Sequence, residues 1–144
     1  MGRIVASLAA LFVLAAGCAG REGSMTGTSL YDRLGGKPAI AAVVDDFIAN
    51  VAADARINAR FQGADIPRLK TMLVDQICEA SGGPCTYRGK SMVEAHRGMR
   101  ITEAEFNALV EDLVKSLDRF KVPAREKQEL LTALGGMKSQ IVDR

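Results

Sequence analysis

The chain has 144 residues and a formal net charge of +2, with 48% apolar and 25% charged residues, which suits one globular domain. Strand formers are not gathered in blocks, and tryptophan is absent. Lysines and arginines are spread along the sequence, so the clustered basic face that nucleic-acid binding needs is missing, and no nucleic-acid partner is expected.

Residues 1–20 differ from the rest. Met1-Gly2-Arg3 supplies one positive charge, and residues 4–16 form an uncharged run of apolar or small side chains. The pattern is that of a signal peptide, too short for a comfortable membrane span. It ends in Leu14-Ala15-Ala16-Gly17-Cys18, small residues before a cysteine, which resembles a bacterial lipobox in which Cys18 is lipidated and becomes the new N-terminus. Ala15 departs from that pattern, since such boxes usually carry Leu there. The expectation is a protein of the bacterial cell envelope, periplasmic and held to a membrane only by lipid on Cys18. Ordinary cleavage near Ala16 or Ala19, with release of a soluble protein, is the alternative. Residues 21–29, rich in Gly, Ser and Thr, read as a flexible tether, and the folded domain is expected over residues 30–144.

Ile40, Val43, Val44, Phe47, Ile48 and Val51 recur at spacings of three and four and predict an amphipathic helix over residues 39–52, with Pro38 near its start. A corner follows, with Phe61 as its large aromatic. Asp65 is placed to cap the next helix, which carries Leu69, Met72, Leu73 and Ile77 and ends at Gly82-Gly83-Pro84. Ser91 can cap a short helix containing Met92, Val93 and His96, with Gly98 as its stop. Thr102 and Glu105 form a capping box for a long helix bearing Phe106, Leu109, Val110, Leu113, Val114 and Leu117. After Pro123 the last helix carries Leu130, Leu131, Leu134, Met137 and Ile141, interrupted at Gly135-Gly136. The architecture is all-α, with the two C-terminal helices expected to form an antiparallel pair.

Cys78 and Cys85 flank the Gly82-Gly83-Pro84 loop. In an oxidising compartment two such cysteines form a disulfide closing a small loop. Free thiols are the alternative, and a metal site is weaker, because two cysteines and one histidine give only three soft ligands. No hydrolase or nucleotide motif is present, no residue is assigned as catalytic, and the acidic residues fall mostly on helix exteriors. That leaves His96, the only histidine, which shares a helical face with Met92 and Val93. An imidazole in an apolar pocket is a good iron ligand, although a lone helical histidine is more often structural.

Leu30-Tyr31-Asp32-Arg33-Leu34-Gly35-Gly36, Ala39-Ile40 and Val43-Val44-Asp45-Asp46-Phe47 resemble the opening of the group I truncated haemoglobins. Leu69-Lys70, Gly82-Gly83-Pro84, Tyr87-Arg88-Gly89, Met92, His96, Gly98, Ile101, Phe106 and Val122-Pro123 continue the likeness in order. The resemblance implies a truncated globin fold, a two-over-two helical sandwich around haem b, with His96 as the proximal iron ligand. It also implies that Phe61, Leu69, Leu73, Ile77, Met92, Val93, Ile101, Phe106 and Leu109 line the haem. On the distal side the family commonly carries a tyrosine and a glutamine, where this chain has Ile48 and Leu73. Leu69 stands at the usual distal-histidine place. Gln76 replaces a usual aromatic; it could reach inward, with a half-exposed polar residue as the blander reading. A buried donor would stabilise dioxygen on iron by roughly 1–3 kcal/mol. Its loss implies fast dioxygen release, with carbon monoxide and nitric oxide still binding well.

The implied function is binding of diatomic gases (dioxygen, nitric oxide, carbon monoxide), with nitric oxide or peroxide chemistry left open. Met72 lies where some relatives put a second ligand. His/Met ligation would instead favour electron transfer with a redox donor as partner. A haem-free globin fold acting as an envelope binding module is the third reading.

Overall fold

The computed structural model describes residues 27–144; the signal-peptide, tether and lipidation readings for residues 1–26, Cys18 among them, lie outside the described residues. Six α-helices follow in order: α1 (Leu30–Arg33), α2 (Gly36–Ala53), α3 (Ile66–Ala80), α4 (Met92–His96), α5 (Glu103–Arg119) and α6 (Ala124–Gly135). Short 3-10 turns occupy Asn58–Phe61 and Lys138–Gln140. None of the described helices is long and apolar enough to cross a membrane.

The helix starts follow from local chemistry. Asp65 accepts the Arg68 N–H at 3.0 Å to cap α3. Ser91 with Glu94, and Thr102 with Glu105, close reciprocal capping boxes on α4 and α5. Each such cap is worth about 1 kcal/mol, and α4, at five residues, is too short to hold itself otherwise.

The core is built on α2, which is apolar on most of its circumference. Ile40, Val43, Val44, Phe47, Ile48 and Val51 are all buried. α5 packs along one side of α2 and α3 along another. A polar seam reinforces the α2–α5 contact: Asn50 donates to Ser116 Oγ at 2.9 Å, and Ser116 donates to Asp46 at 2.8 Å. Asp112 beside it is fully buried, with Lys115 on one carboxylate oxygen at 2.7 Å. Two acidic side chains thus lie inside rather than on the solvated faces expected of them, Asp112 here and Glu126 in α6, which Arg33 grips at 3.0 Å.

The last two helices touch, with Leu117 of α5 and Leu130 of α6 on one apolar wall and Lys127 paired to Asp118, and each also packs on other helices. α6 leans on α1 and α3, while α5 belongs to α2. Leu113 on α5 and Leu134 on α6 also face a common cavity. The C-terminus then returns to the α4–α5 junction, where Ile101 pairs with Val142, and Arg100 donates to the Arg144 carbonyl at 2.8 Å.

The segment joining α3 to α4 is pinned at Cys78 and Cys85, which form a disulfide with Cα atoms 5.7 Å apart. Gly83 in that loop lies against the Tyr31 ring and the Cys78 sulfur; a Cβ there would come within 2.5 Å of the ring and 2.7 Å of Sγ. The Tyr31 hydroxyl accepts the Lys37 N–H at 3.0 Å, and its backbone N–H donates to Ser81 at 2.8 Å. One tyrosine therefore joins α1, the start of α2 and the glycine loop.

Candidate functional site

α4 presents Met92 and His96 one helical turn apart. His96 Nδ1 lies 2.8 Å from the Met92 carbonyl oxygen. A carbonyl only accepts, so Nδ1 carries the proton and Nε2 keeps its lone pair. This is the tautomer that ligates a metal through Nε2, with the ring orientation fixed by the backbone behind it.

Two cavities meet at this residue. The larger, of about 140 Å³, lies between α3, α4, α5 and the C-terminal segment and is lined by Phe47, Leu73, Gln76, Ile77, Met92, His96, Phe106, Leu109, Val110, Leu113, Leu134, Met137 and Ile141. The smaller, of about 80 Å³, is lined by Ile57, Arg60, Phe61, His96, Met99, Ile101, Glu105, Phe106, Leu109 and Ile141. His96, Phe106, Leu109 and Ile141 belong to both walls.

Of the residues singled out from the sequence, Phe61, Leu73, Ile77, Met92, His96, Ile101, Phe106 and Leu109 are brought together on these walls. Four others are not. Val93 is 36% exposed, because one residue past Met92 turns it about 100° round a helix whose other face meets the cavity. Ile48 is packed in the core of α2, and its neighbour Phe47 is the α2 residue on the cavity. Leu69 is half-buried against the same core, one turn before Leu73. Met72 is half-buried and off both walls, since Leu73, Gln76 and Ile77 are the α3 face turned inward.

Gln76, read from the sequence as half-exposed but able to reach inward, is half-buried. Its amide faces the larger cavity, with Nε2 at 3.3 Å from Met92 Sδ and 3.5 Å from Met137 Sδ. The sequence reading missed the polar rim of the smaller cavity. There Arg60 grips Glu105 through Nε at 2.7 Å and Nη2 at 3.1 Å, and donates to the Met99 carbonyl at 3.0 Å. The hydrogen bond from Arg60, followed by the Thr102 backbone N–H, lowers the Glu105 carboxyl to about 2. Lys138 sits 5.8 Å from the centre of the Phe106 ring, adding a second cation near the rim.

The donor set suits one kind of metal. Among the described residues no group of three His, Cys, Asp or Glu side chains could hold a bare ion. Haem iron brings its equatorial ligands with it and needs a single axial imidazole inside an apolar wall. His96 and the two cavities provide both.

The sequence model of the bacterial-like globins matches residues 29–143. A group 1 truncated haemoglobin of Mycolicibacterium paratuberculosis is 34% identical over 113 residues, covering 78% of this chain and 83% of that protein. Among solved structures, the truncated haemoglobin from Tetrahymena pyriformis in its Fe(III) form matches with a TM-score of 0.79 and 29% identity, over 81% of this chain and 100% of that one. The 2/2 haemoglobin from Synechococcus, solved in the cyanomet state with covalently attached haem, matches with a TM-score of 0.76 and 31% identity, again over 81% and 100%. With a family match over nearly all described residues and a solved fold superposing on it, this chain belongs to the bacterial-like globins and, within them, to the group 1 truncated haemoglobins.

Proposed function

We propose that this protein binds haem b through His96 Nε2 and takes up a diatomic gas in the apolar cavity beside it. Haem-based gas binding is the business of the family, and haem is its cofactor. Held by His96 against these apolar walls, haem would supply the iron that takes up a small gas. The observation that carries the reading for this chain is the His96 Nδ1 contact to the Met92 carbonyl at 2.8 Å, which leaves Nε2 as a lone pair on the wall common to both cavities.

The chain's own residues then divide the work. Phe106, Leu109 and Ile101 offer apolar contact, and Phe61 closes the smaller cavity near its rim. Leu73 and Ile77 keep the larger cavity dry, and Arg60 is the rim cation nearest the smaller one. Among the described residues no carboxylate, lysine or arginine lines the larger cavity, so that wall offers no acid or ammonium side chain to move a proton in breaking an O–O bond. This supports gas binding rather than peroxide turnover.

Haem retention tests the assignment. His96→Ala should lose haem on gel filtration, and added imidazole should restore a Soret band. Unchanged haem content and spectrum in His96→Ala would overturn it.

We further propose that the protein is exported and lipid-anchored at Cys18. The Leu14-Ala15-Ala16-Gly17-Cys18 run supports this, and so does the Cys78–Cys85 disulfide, since disulfides persist in oxidising compartments. Cys18→Ser should move the protein from the membrane to the soluble fraction, and identical partitioning of both forms would contradict the anchor.

A further inference from the structure

The larger cavity has one feature that its apolar wall does not explain. Apart from His96, Gln76 is the only side chain on that wall able to donate a hydrogen bond from nitrogen. Its amide nitrogen meets no oxygen acceptor among the described residues. It rests on the thioether sulfurs of Met92, at 3.3 Å, and Met137, at 3.5 Å. A thioether is a weak acceptor. Gln76 is half-buried, and these two sulfurs are the acceptors its amide nitrogen meets on the cavity side, so little holds it in its resting place.

The geometry ties this amide to the iron ligand. Met92, which holds the amide through its sulfur, also accepts the His96 Nδ1–H through its carbonyl oxygen at 2.8 Å. Gln76 and His96 line the same wall. Leu73, one turn earlier on α3, has no donor to compete. The glutamine side chain turns about three torsions and can leave the sulfurs without moving α3.

We propose that Gln76 is the ligand-discriminating residue of this site: its amide N–H, parked on Met92 and Met137, swings to a ligand that carries negative charge. This rests on the haem reading above. The exchange replaces two weak acceptors by a charged one, and bonds to charged acceptors are the stronger kind. A ligand that stays nearly neutral, such as carbon monoxide, gains less than dioxygen or cyanide. The apolar α3 face is therefore not donor-free, and selectivity among gases is set by how tightly the two methionines hold the amide.

The test uses the haem-loaded full chain with two variants that push in opposite directions. Gln76→Leu removes the donor; Met92→Leu with Met137→Leu removes its resting place at nearly constant volume. The infrared C–O stretch of the carbon monoxide complex reads the local field without any turnover. In Gln76→Leu the band should move to higher wavenumber and dioxygen should dissociate about tenfold faster, the factor expected for one donor of ordinary strength. In the double methionine variant the band should move to lower wavenumber and dissociation should slow. Coincident bands and rates in wild type and Gln76→Leu would overturn the proposal while leaving haem binding intact. Failure of the wild type to give any carbonyl band would overturn the haem reading, and this proposal with it.

Discussion

Opening the Cys78–Cys85 loop should cost both stability and haem retention. The bond spans a sequence separation of 7. Loop-closure entropy for a ring of that size gives about 2.5 kcal/mol at 25 °C. For a domain of this length, about 0.24 kcal/mol/K of unfolding entropy converts that into a drop of about 10 °C in Tm. The consequence for haem comes from position: the bond ties the end of α3, which carries Leu73, Gln76 and Ile77, to the segment leading into α4, which carries Met92 and His96. Cys78→Ala with Cys85→Ala is the suitable variant, because serine would put a hydroxyl at Cys78, which is fully buried. Calorimetry of the oxidised wild type, the reduced wild type and the variant should give one high and two low melting points, with faster haem transfer to an acceptor in the latter two. Equal melting points, or two titratable thiols in the native oxidised protein, would refute the reasoning.

Gly83→Ala should destabilise by about 1–3 kcal/mol in denaturant titrations, because the new methyl would press on the half-buried Tyr31 ring and on Cys78, which full burial and the disulfide hold in place. Acid should weaken the rim of the smaller cavity. Glu105 has its folded-state value at about 2 against an ordinary 4.5, so its contribution is full above the ordinary value and is lost as pH falls from about 4.5 toward 2. Glu105→Gln should flatten the acid limb of stability in that window, and an unchanged limb would mean the Arg60 pair is not involved. Leu73→Gln puts a second donor on the cavity wall and should slow dioxygen dissociation by roughly ten- to a hundredfold in stopped flow, whereas an unchanged rate would place Leu73 away from the ligand.

What was legible in the sequence was local. The α2 stripe, the Asp65 and Ser91 caps and the Thr102–Glu105 capping box each depend on residues within a turn or two, and all are present as expected. Helical periodicity gives a face but not its full set of partners, so the packing of α5 on α2, and of α6 on α1 and α3, could not be read from it. The same limit explains Val93: on a five-residue helix, one step round the axis separates a wall residue from an exposed one. That Gln76 could reach inward was legible, but not what it would meet there, because Met92 and Met137 lie 16 and 61 residues away. Glu126 is buried for a similar reason, its arginine being 93 residues distant.

The most direct test of the central claim is the absorption spectrum of the purified, haem-loaded ferrous protein with and without carbon monoxide. The account predicts a five-coordinate ferrous spectrum, because Met72 is off both cavity walls and His96 is the only histidine. Carbon monoxide should then produce a sharp Soret shift at stoichiometric gas. A six-coordinate ferrous spectrum that carbon monoxide leaves unchanged, or no Soret band at all after reconstitution, would contradict it.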